Sequence, residues 1–404
     1  MERKTMGDKV ILAYSGGLDT SVSIKWIKEN YNMEVIAALI DCGQPDDLEE
    51  AYQRAIDTGV SKALIIDAKD EFIKDFIFPS IKANLKYEKN YPLATALARP
   101  LIVKKLVEVA KKEGAKAIAH GCTAKGNDQV RFDVGIRSLS PELQIIAPLR
   151  EWKLSREEEI EYAHAHGIKI NVTKKSPYSI DENLWGRSME CGVLEDPWVE
   201  PPEDIYGWTK IKKSPGESQY IEIGFDQGVP VSLNGKKNPP LRIIQEINTV
   251  AGSYGIGRID MVENRLIGIK SREIYEAPAA VVIIEAHRQL ESLVLDRELL
   301  HYKYFMEEKM AEMIYYGLWF TPLMTCLKSF ISQSQEYVSG RVKIKLEYKN
   351  FSVAGRESEN SLYDFKLATY DKQDVFDPKH SASFIKVWGY PYEILGLKKR
   401  MEKS

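Results

Sequence analysis

Ser15-Gly-Gly-Leu-Asp19-Thr-Ser21 sets two glycines, three hydroxyls and a carboxylate within seven residues. Two adjacent glycines let a bulky anion come close to the main chain, because no Cβ stands in the way. With a strand just before them and a helix just after, unpaired N–H groups and the positive end of the helix dipole converge on one point. The neighbouring residues predict both elements. Residues 10–14, Val-Ile-Leu-Ala-Tyr, form a short apolar run that reads as a buried strand. From Asp19 the pattern is helical: Val22 and Trp26 stand one turn apart, with Ile27 beside them. The stretch is therefore a phosphate cradle in physical terms. Many strand–glycine–helix turns bind nothing, but Ser15, Gly16, Gly17, Asp19 and Ser21 together are more specific than a bare Gly-Gly. The stretch is neither a Walker A loop, which ends in Gly-Lys-Ser/Thr, nor Gly-x-Gly-x-x-Gly.

A second stretch, His120-Gly-Cys-Thr-Ala-Lys-Gly-Asn-Asp-Gln-Val-Arg-Phe132, joins a strand end, two glycines and an Asn-Asp helix start into another anion-friendly nest. Asp128 and Arg131 lie three apart, and Asn127 and Arg131 four apart, so they share a helix face. Taken alone, these residues read as a cap and a surface ion pair worth under about 1 kcal/mol. Placed on the same sheet edge as the first loop, they read as a substrate site. Tyr91-Pro-Leu-Ala-Thr-Ala96-Leu-Ala-Arg99 opens a long helix, and Arg99 by itself reads as a solvated residue. The stretch 176–188 crowds polar groups, Ser179 and Ser188 among them, around Tyr178 and Trp185; it reads equally as a surface turn or as part of a site. Around Gly255-Ile-Gly the signal is weak: Glu263 reads as solvated and Tyr275 as packing.

The elements that must position these groups alternate. Strands are predicted at 10–14, 34–40, 63–67, 117–119 and 144–147. Helices are predicted at 47–58, 71–85 with a break at Pro79, 95–113, from Asn127, and at 155–166 behind a Ser155/Glu158 capping box. That alternation implies α/β architecture, a parallel sheet with helices on both faces. Ligands on such sheets sit beyond the carboxyl ends of the strands, where both loops lie. Proline and glycine become frequent after residue 170, and the domain change is placed at 168–176. Beyond it the pattern is mixed: a hairpin at 219–233, helices at 241–251 and 297–318, and strands at 342–348 and 351–354. Residues 280–284 fit a strand or a helix. A terminal helix at 391–403 has Pro391 in its first turn and Lys398, Lys399 and Arg400 in its last.

A chain of 404 residues can form two or more well-packed domains. A net charge of −3 argues against a nucleic-acid or anionic-membrane partner. The longest apolar stretches, such as 279–284, are too short to span a bilayer, and no signal peptide is evident. Four scattered cysteines with no Cys/His ligand spacing point away from zinc and disulfides and toward the cytoplasm. No side-chain set is assigned to a metal.

The run 15–21 resembles the SGGxDS pyrophosphate loop of the ATP pyrophosphatases. Together with Gly126-Asn-Asp-Gln-Val-Arg-Phe132, Ser179-Ile-Asp-Glu-Asn, Gly257-Arg-Ile-Asp-Met-Val-Glu-Asn-Arg265, Lys270-Ser-Arg and the Phe384-Ile-Lys-Val-Trp-Gly ending, it is similar to the argininosuccinate synthase family over nearly the whole chain. The resemblance implies a nucleotide-binding domain of the adenine nucleotide alpha hydrolase type at 1–170, a mixed α+β synthetase domain at 171–380 and an oligomerisation helix at 381–404. It implies ligation of citrulline and aspartate with ATP and Mg²⁺, through citrullyl-AMP, in a homotetramer. It places Ala13, Tyr14, Ser15, Gly16, Gly17, Leu18, Asp19, Thr20, Ser21, Ile40 and Gly121 at ATP. Thr123, Asn127 and Asp128 fall to aspartate. Tyr91, Ala96, Asn127, Arg131, Ser179, Ser188, Glu263 and Tyr275 fall to citrulline. Asp19, Asn127, Asp128 and Arg131 are expected nearest the chemistry. Ile40, Ala96 and Ala124 depart from the family's usual residues.

Overall fold

β1 (Lys9–Ala13) lies at the centre of a five-stranded parallel sheet in the computed structural model, which describes residues 7–45, 47–123, 125–152, 156–168 and 178–401. Its strand order is β3-β2-β1-β4-β5. The chain runs β1, α1 (Leu18–Tyr31), β2 (Glu34–Asp41), α2 (Leu48–Thr58) and β3 (Lys62–Asp67) to one edge. It then crosses through α3 (Lys69–Phe72), a π-helical turn (Ile73–Ile77), α4 (Phe78–Lys82) and α5 (Ala94–Glu113) to reach β4 (Ala117–Ala119). β4 pairs with the other side of β1, and α6 (Asp128–Leu139) leads on to β5 (Gln144–Ile146). The order therefore reverses at β1, so the loops leaving β1 and β4 open side by side at one end of the sheet. Short α7 (Pro148–Glu151) and α8 (Arg156–Ala165) follow.

Side-chain alternation explains why these strands are apolar throughout. Val10, Leu12, Val35, Ala37 and Leu39 enter one buried cluster with Ile24, Ile27, Ala51 and Ala55 of α1 and α2. Ile11, Ile36, Ala38 and Ile40 enter another with Leu97, Leu101 and Val103 of α5. A sheet covered on both faces needs an apolar residue at every position. The expected break at Pro79 takes another form: Pro79 sits in the first turn of α4, and the distortion precedes it as the π-helical turn. A proline nitrogen offers no N–H, and its ring crowds the carbonyl four residues back. Ser155 and the expected domain change at 168–176, apart from Ile168, lie outside the described residues.

Two antiparallel sheets complete this unit. One contains β6 (Ser179–Asn183), β7 (Gly186–Glu190), β11 (Arg258–Asn264) and β12 (Lys270–Glu276), in the order β11-β12-β7-β6. The other contains β8 (Ser218–Asp226), β9 (Val229–Leu233), β10 (Lys236–Lys237), β13 (Gly340–Glu347) and β14 (Asn350–Glu357). Between them in sequence run α9 (Pro240–Ser253), α10 (Pro278–Val294), α11 (Arg297–Tyr315) and α12 (Pro322–Gln333). Residues 280–284 are helical inside α10, whose first turn holds Pro278. The stretch 176–188 is no surface turn over its described part. It is the β6–β7 hairpin, with Leu184 and Trp185 buried at its tip. Leu184 donates its N–H to the Cys42 carbonyl at the end of β2 (2.9 Å), and Asn183 Nδ2 donates to the Ala94 carbonyl at the start of α5 (2.9 Å). The hairpin is thereby pinned to the mouth of the parallel sheet.

A second compact unit begins at Ser361 and contains α13 (Phe365–Ala368) and α14 (Pro378–Met401). Pro391 lies inside α14 rather than in its first turn, because the helix begins at Pro378. Phe384, Ile385, Val387, Trp388, Ile394 and Leu395 are exposed on it.

Candidate active site

The phosphate cradle forms as its residue types require. α1 has Gly17 as its N-cap with no side-chain cap, and its first intrahelical bond runs from Ser21 N–H to Gly17 O at 3.1 Å. The N–H groups ahead of that bond lie beyond intrahelical pairing. Gly16 has φ +79°, and a Cβ there would stand 2.8 Å from the Ala51 methyl. Gly17 differs: a Cβ there would meet nothing of the chain nearer than Ser15 Oγ at 3.5 Å. Behind the turn Arg54 of α2 donates to the Gly16 carbonyl at 2.5 Å, holding the loop's shape from a cationic side chain.

A cleft of about 670 Å³ opens over this turn. From the sequence-predicted residues it is lined by Ala13, Tyr14, Ser15, Gly17, Thr20, Ile40, Gly121, Asp128 and Ser179. Ser15 and Gly17 are exposed, and Asp19 is half-buried at the first turn of α1. Leu18 packs with Val22, Ala163 and Ile168, so what it can offer a ligand is its backbone. Ser21 is fully buried and shares a hydrogen bond with the Tyr14 hydroxyl (2.9 Å). Thr123 is exposed on the loop after β4, and Ala124 lies outside the described residues. That loop is steadied from below by His120. Its Nδ1 accepts the Cys122 N–H at 3.3 Å, so Nε2 carries the proton and donates to Asp133 at 2.8 Å.

Asn127, Asp128 and Arg131 do not form a cap and a surface pair. Asn127 and Arg131 are buried, and the Asn127 side chain makes no cap bond. Asp128 accepts from Arg131 Nη1 at 2.8 Å through one oxygen and from Arg99 Nε at 2.9 Å through the other. Arg99 also pairs with Asp181 on β6. Its side chain is 13% exposed, so the expectation of a solvated arginine is corrected: it bridges two carboxylates from separate elements. Burial pushes the Asp128 carboxyl up, but the Arg99 and Arg131 guanidiniums outweigh it and hold that carboxyl well below the usual range. Asp181 goes the other way, raised by burial against the pull of Arg99.

Arg131 leads to a second group. Glu263 is buried, not solvated, and accepts the Tyr275 hydroxyl at 2.6 Å and the Tyr315 hydroxyl. Tyr275 stacks on Tyr91 with ring centroids 3.9 Å apart. The Tyr91 hydroxyl in turn receives the Thr95 and Ala96 N–H groups at 3.0 and 3.3 Å, capping α5. Ala96 is fully buried beneath it. Ser188 lies opposite both Asp181 and Tyr275 in register. Two adjacent groups of predicted residues result, joined by the Asp128–Arg131 pair. Arg99, which its own stretch reads as solvated, and Tyr315, which residue pattern does not point to, belong to them. An arginine within the otherwise apolar start of a helix was a usable signal for the first; Tyr315 carried none.

Comparison with known proteins bears on both halves of this site. A family model described as “Arginosuccinate synthase N-terminal HUP domain” matches residues 9–169, and one described as “Arginosuccinate synthase C-terminal domain” matches residues 178–395. The chain belongs to the argininosuccinate synthase family. The argininosuccinate synthase of Dictyoglomus thermophilum is 59% identical over 391 residues, 97% of this chain and 98% of the relative. The argininosuccinate synthase of Oceanobacillus iheyensis is 55% identical over 388 residues, covering 96% and 93%. That of Bacillus subtilis is 54% identical over 397 residues, covering 98% of each. The parallel sheet with its glycine turn is thus the HUP domain of an argininosuccinate synthase.

Proposed function

We propose that the cleft over the glycine turn seats ATP with its β- and γ-phosphates on the 15–20 stretch and its α-phosphate toward the Asp128–Arg131 pair. The chain is an ATP-dependent ligase of citrulline and aspartate, forming argininosuccinate with release of AMP and pyrophosphate in arginine biosynthesis. One observation carries the assignment of roles: the β1 and β4 loops open side by side, so the cradle and Asp128, which is paired to Arg131 behind it, meet at one cleft.

The chemistry suits those parts. A ureido oxygen is a poor leaving group, and attaching AMP makes it a good one. The citrulline oxygen attacks the α-phosphorus while pyrophosphate departs into fixed N–H donors, which need no reorganisation as charge builds. The aspartate amine then displaces AMP. Thr123, Asn127 and Asp128 receive aspartate in this reading; Tyr91, Asn127, Arg131, Ser179, Ser188, Glu263 and Tyr275 receive citrulline, against the buried Ala96. Asp19 and the Ser15 and Thr20 hydroxyls are hard oxygen donors of the kind Mg²⁺ takes alongside phosphate oxygens. When bound, that ion neutralises charge on the pyrophosphate.

The reading includes an ATP-binding part at 1–170, a substrate part at 171–380 and a C-terminal helix that reaches a neighbouring subunit of a homotetramer. The exposed Phe384, Ile385, Val387 and Trp388 support the last point, since an apolar helix face of this size needs a cover. Four free cysteines support a cytoplasmic setting. No helix of the described residues is long and apolar enough to cross a membrane. Incubating the protein with ATP and each amino acid, separately and together, tests the reaction. AMP and pyrophosphate that require citrulline, with argininosuccinate only when aspartate is added, are expected. Formation of ADP overturns the reading.

A further inference from the structure

Tyr315 closes α11, far in sequence from the residues it touches. Its hydroxyl faces Asn127 Nδ2 at 2.7 Å on one side and the Glu263 carboxylate on the other. The direction of each bond is fixed. Asn127 Oδ1 accepts the Leu266 N–H at 2.9 Å, so the amide presents its nitrogen to Tyr315 and donates. The phenol has one proton, which therefore goes to Glu263. The Tyr315 carbonyl, among the last of the helix and without an intrahelical donor, accepts Arg131 Nε–H at 2.9 Å. The Arg131 guanidinium also lies 4.8 Å from the Tyr315 ring centroid, where helix dipole and ring both favour a cation. Tyr87 also stacks on this ring, 3.6 Å between centroids and 5° from parallel, which restrains its orientation.

We propose that Tyr315 is a positioning residue for citrulline: its hydroxyl sets the Asn127 amide against the Glu263 carboxylate, and its main-chain carbonyl holds the Arg131 guanidinium beside them. This rests on the substrate roles given above. Asn127 precedes α6, Arg131 lies in it and Glu263 comes from β11, and Tyr315 bonds to all three. With Tyr275 supplying a second phenol, both oxygens of Glu263 are met by donors that fix the carboxylate's direction, while burial pushes its carboxyl up against their pull and that of Arg131. A carboxylate so aimed is suited to an ammonium group of the substrate.

Tyr315→Phe tests this, because it keeps the ring, the Tyr87 stack and the carbonyl that holds Arg131 while deleting the hydroxyl. The KM for citrulline is expected to rise about tenfold, the cost of one hydrogen bond to a charged group, while the KM for ATP stays within about twofold. In a Glu263→Gln background, where the carboxylate that Tyr315 orients is already gone, adding Tyr315→Phe is expected to raise the citrulline KM by less than about twofold beyond E263Q alone. An unchanged citrulline KM, equal rises for all three substrates, or fully multiplicative effects in the double variant overturns the proposal. Should Y315F not fold, 3,5-difluorotyrosine at 315 keeps ring and hydroxyl but acidifies the phenol. It must shift the pH profile of kcat/KM for citrulline and leave that for ATP in place; no shift overturns the proposal. The wild-type chain run alongside separates the two levels. Without citrulline-dependent pyrophosphate release in wild type, the site reading falls and Tyr315 with it; with that release intact, a silent Y315F removes Tyr315 alone.

Discussion

Arg99 on α5 donates Nε–H to Asp128 on α6 at 2.9 Å, and its other end reaches Asp181 on β6. One guanidinium thereby ties the nucleotide-binding sheet to the neighbouring antiparallel sheet across the cleft. Replacing it by a chain of similar length, Arg99→Met, leaves Asp181 without that cation and Asp128 with Arg131 alone. Losing a charged partner at a partly buried site costs about 1–3 kcal/mol. kcat/KM for aspartate is therefore expected to fall roughly 10- to 100-fold, more than that for ATP. Steady-state kinetics with each substrate varied in turn decide it, and equal losses for both count against the assignment.

The two cradle glycines should respond differently to the same change. Gly16→Ala drives a Cβ into Ala51 at a left-handed backbone position, and destabilisation of roughly 1–3 kcal/mol is expected. Gly17→Ala meets no such obstacle and has an ordinary φ of −74°. Its melting temperature should stay within about 2 °C of wild type, while the KM for ATP rises about tenfold or more if the phosphates sit on the 15–20 stretch as proposed, since the methyl would stand in their way. Thermal melts and ATP titrations of both variants check this; normal ATP use by G17A would remove the cradle role.

Acid should act through Asp128. Its carboxyl lies below its unfolded value of about 3.9. A depressed folded value means stability that is fully present above about pH 4 and is lost as pH falls through the folded value. The urea-midpoint gap between wild type and Asp128→Asn should therefore be constant from neutral pH down to about pH 4 and shrink below it. A gap that widens in acid would contradict the pairing.

A buried ionic cluster away from the cleft is expected to act on stability rather than on substrate binding. Glu291 and Lys303 are both fully buried and lie 2.9 Å apart, and Glu291 also accepts from Asn84 and Gln335 at 2.6 Å each. Lys303→Met strips the cation and leaves Glu291 buried, which costs about 3–5 kcal/mol. Urea denaturation at neutral pH should show the lower midpoint with an unchanged slope. Substrate KM values of the folded variant should match wild type.

Local pattern carried the parts of this molecule that local physics decides. The apolar runs at 10–14 and 34–40 became strands because both sheet faces are covered, and Ser15 to Ser21 became a strand–turn–helix because glycine and hydroxyl residues leave few other options. What stayed hidden depends on distant partners. Nothing near Arg99 in sequence announces Asp181, and nothing near Glu263 announces Tyr315; each pairing spans tens of residues and exists only once the sheets have met. The family resemblance points to Glu263 and Tyr275 as citrulline residues, whereas their own stretch reads them as solvated and packed; the structure shows both buried and hydrogen-bonded to each other. Pro391 misled for a related reason: a proline marks a first turn in most helices, yet here the helix continues through it.

The Leu184–Trp185 tip has a practical corollary. It fills a slot between the end of β2 and the start of α5, bonded there at the Cys42 and Ala94 carbonyls. Cutting the gene after residue 169 would yield a fragment with an uncovered greasy notch beside its nucleotide end. Such a fragment should clump when expressed by itself, and supplying 178–401 in trans should rescue it.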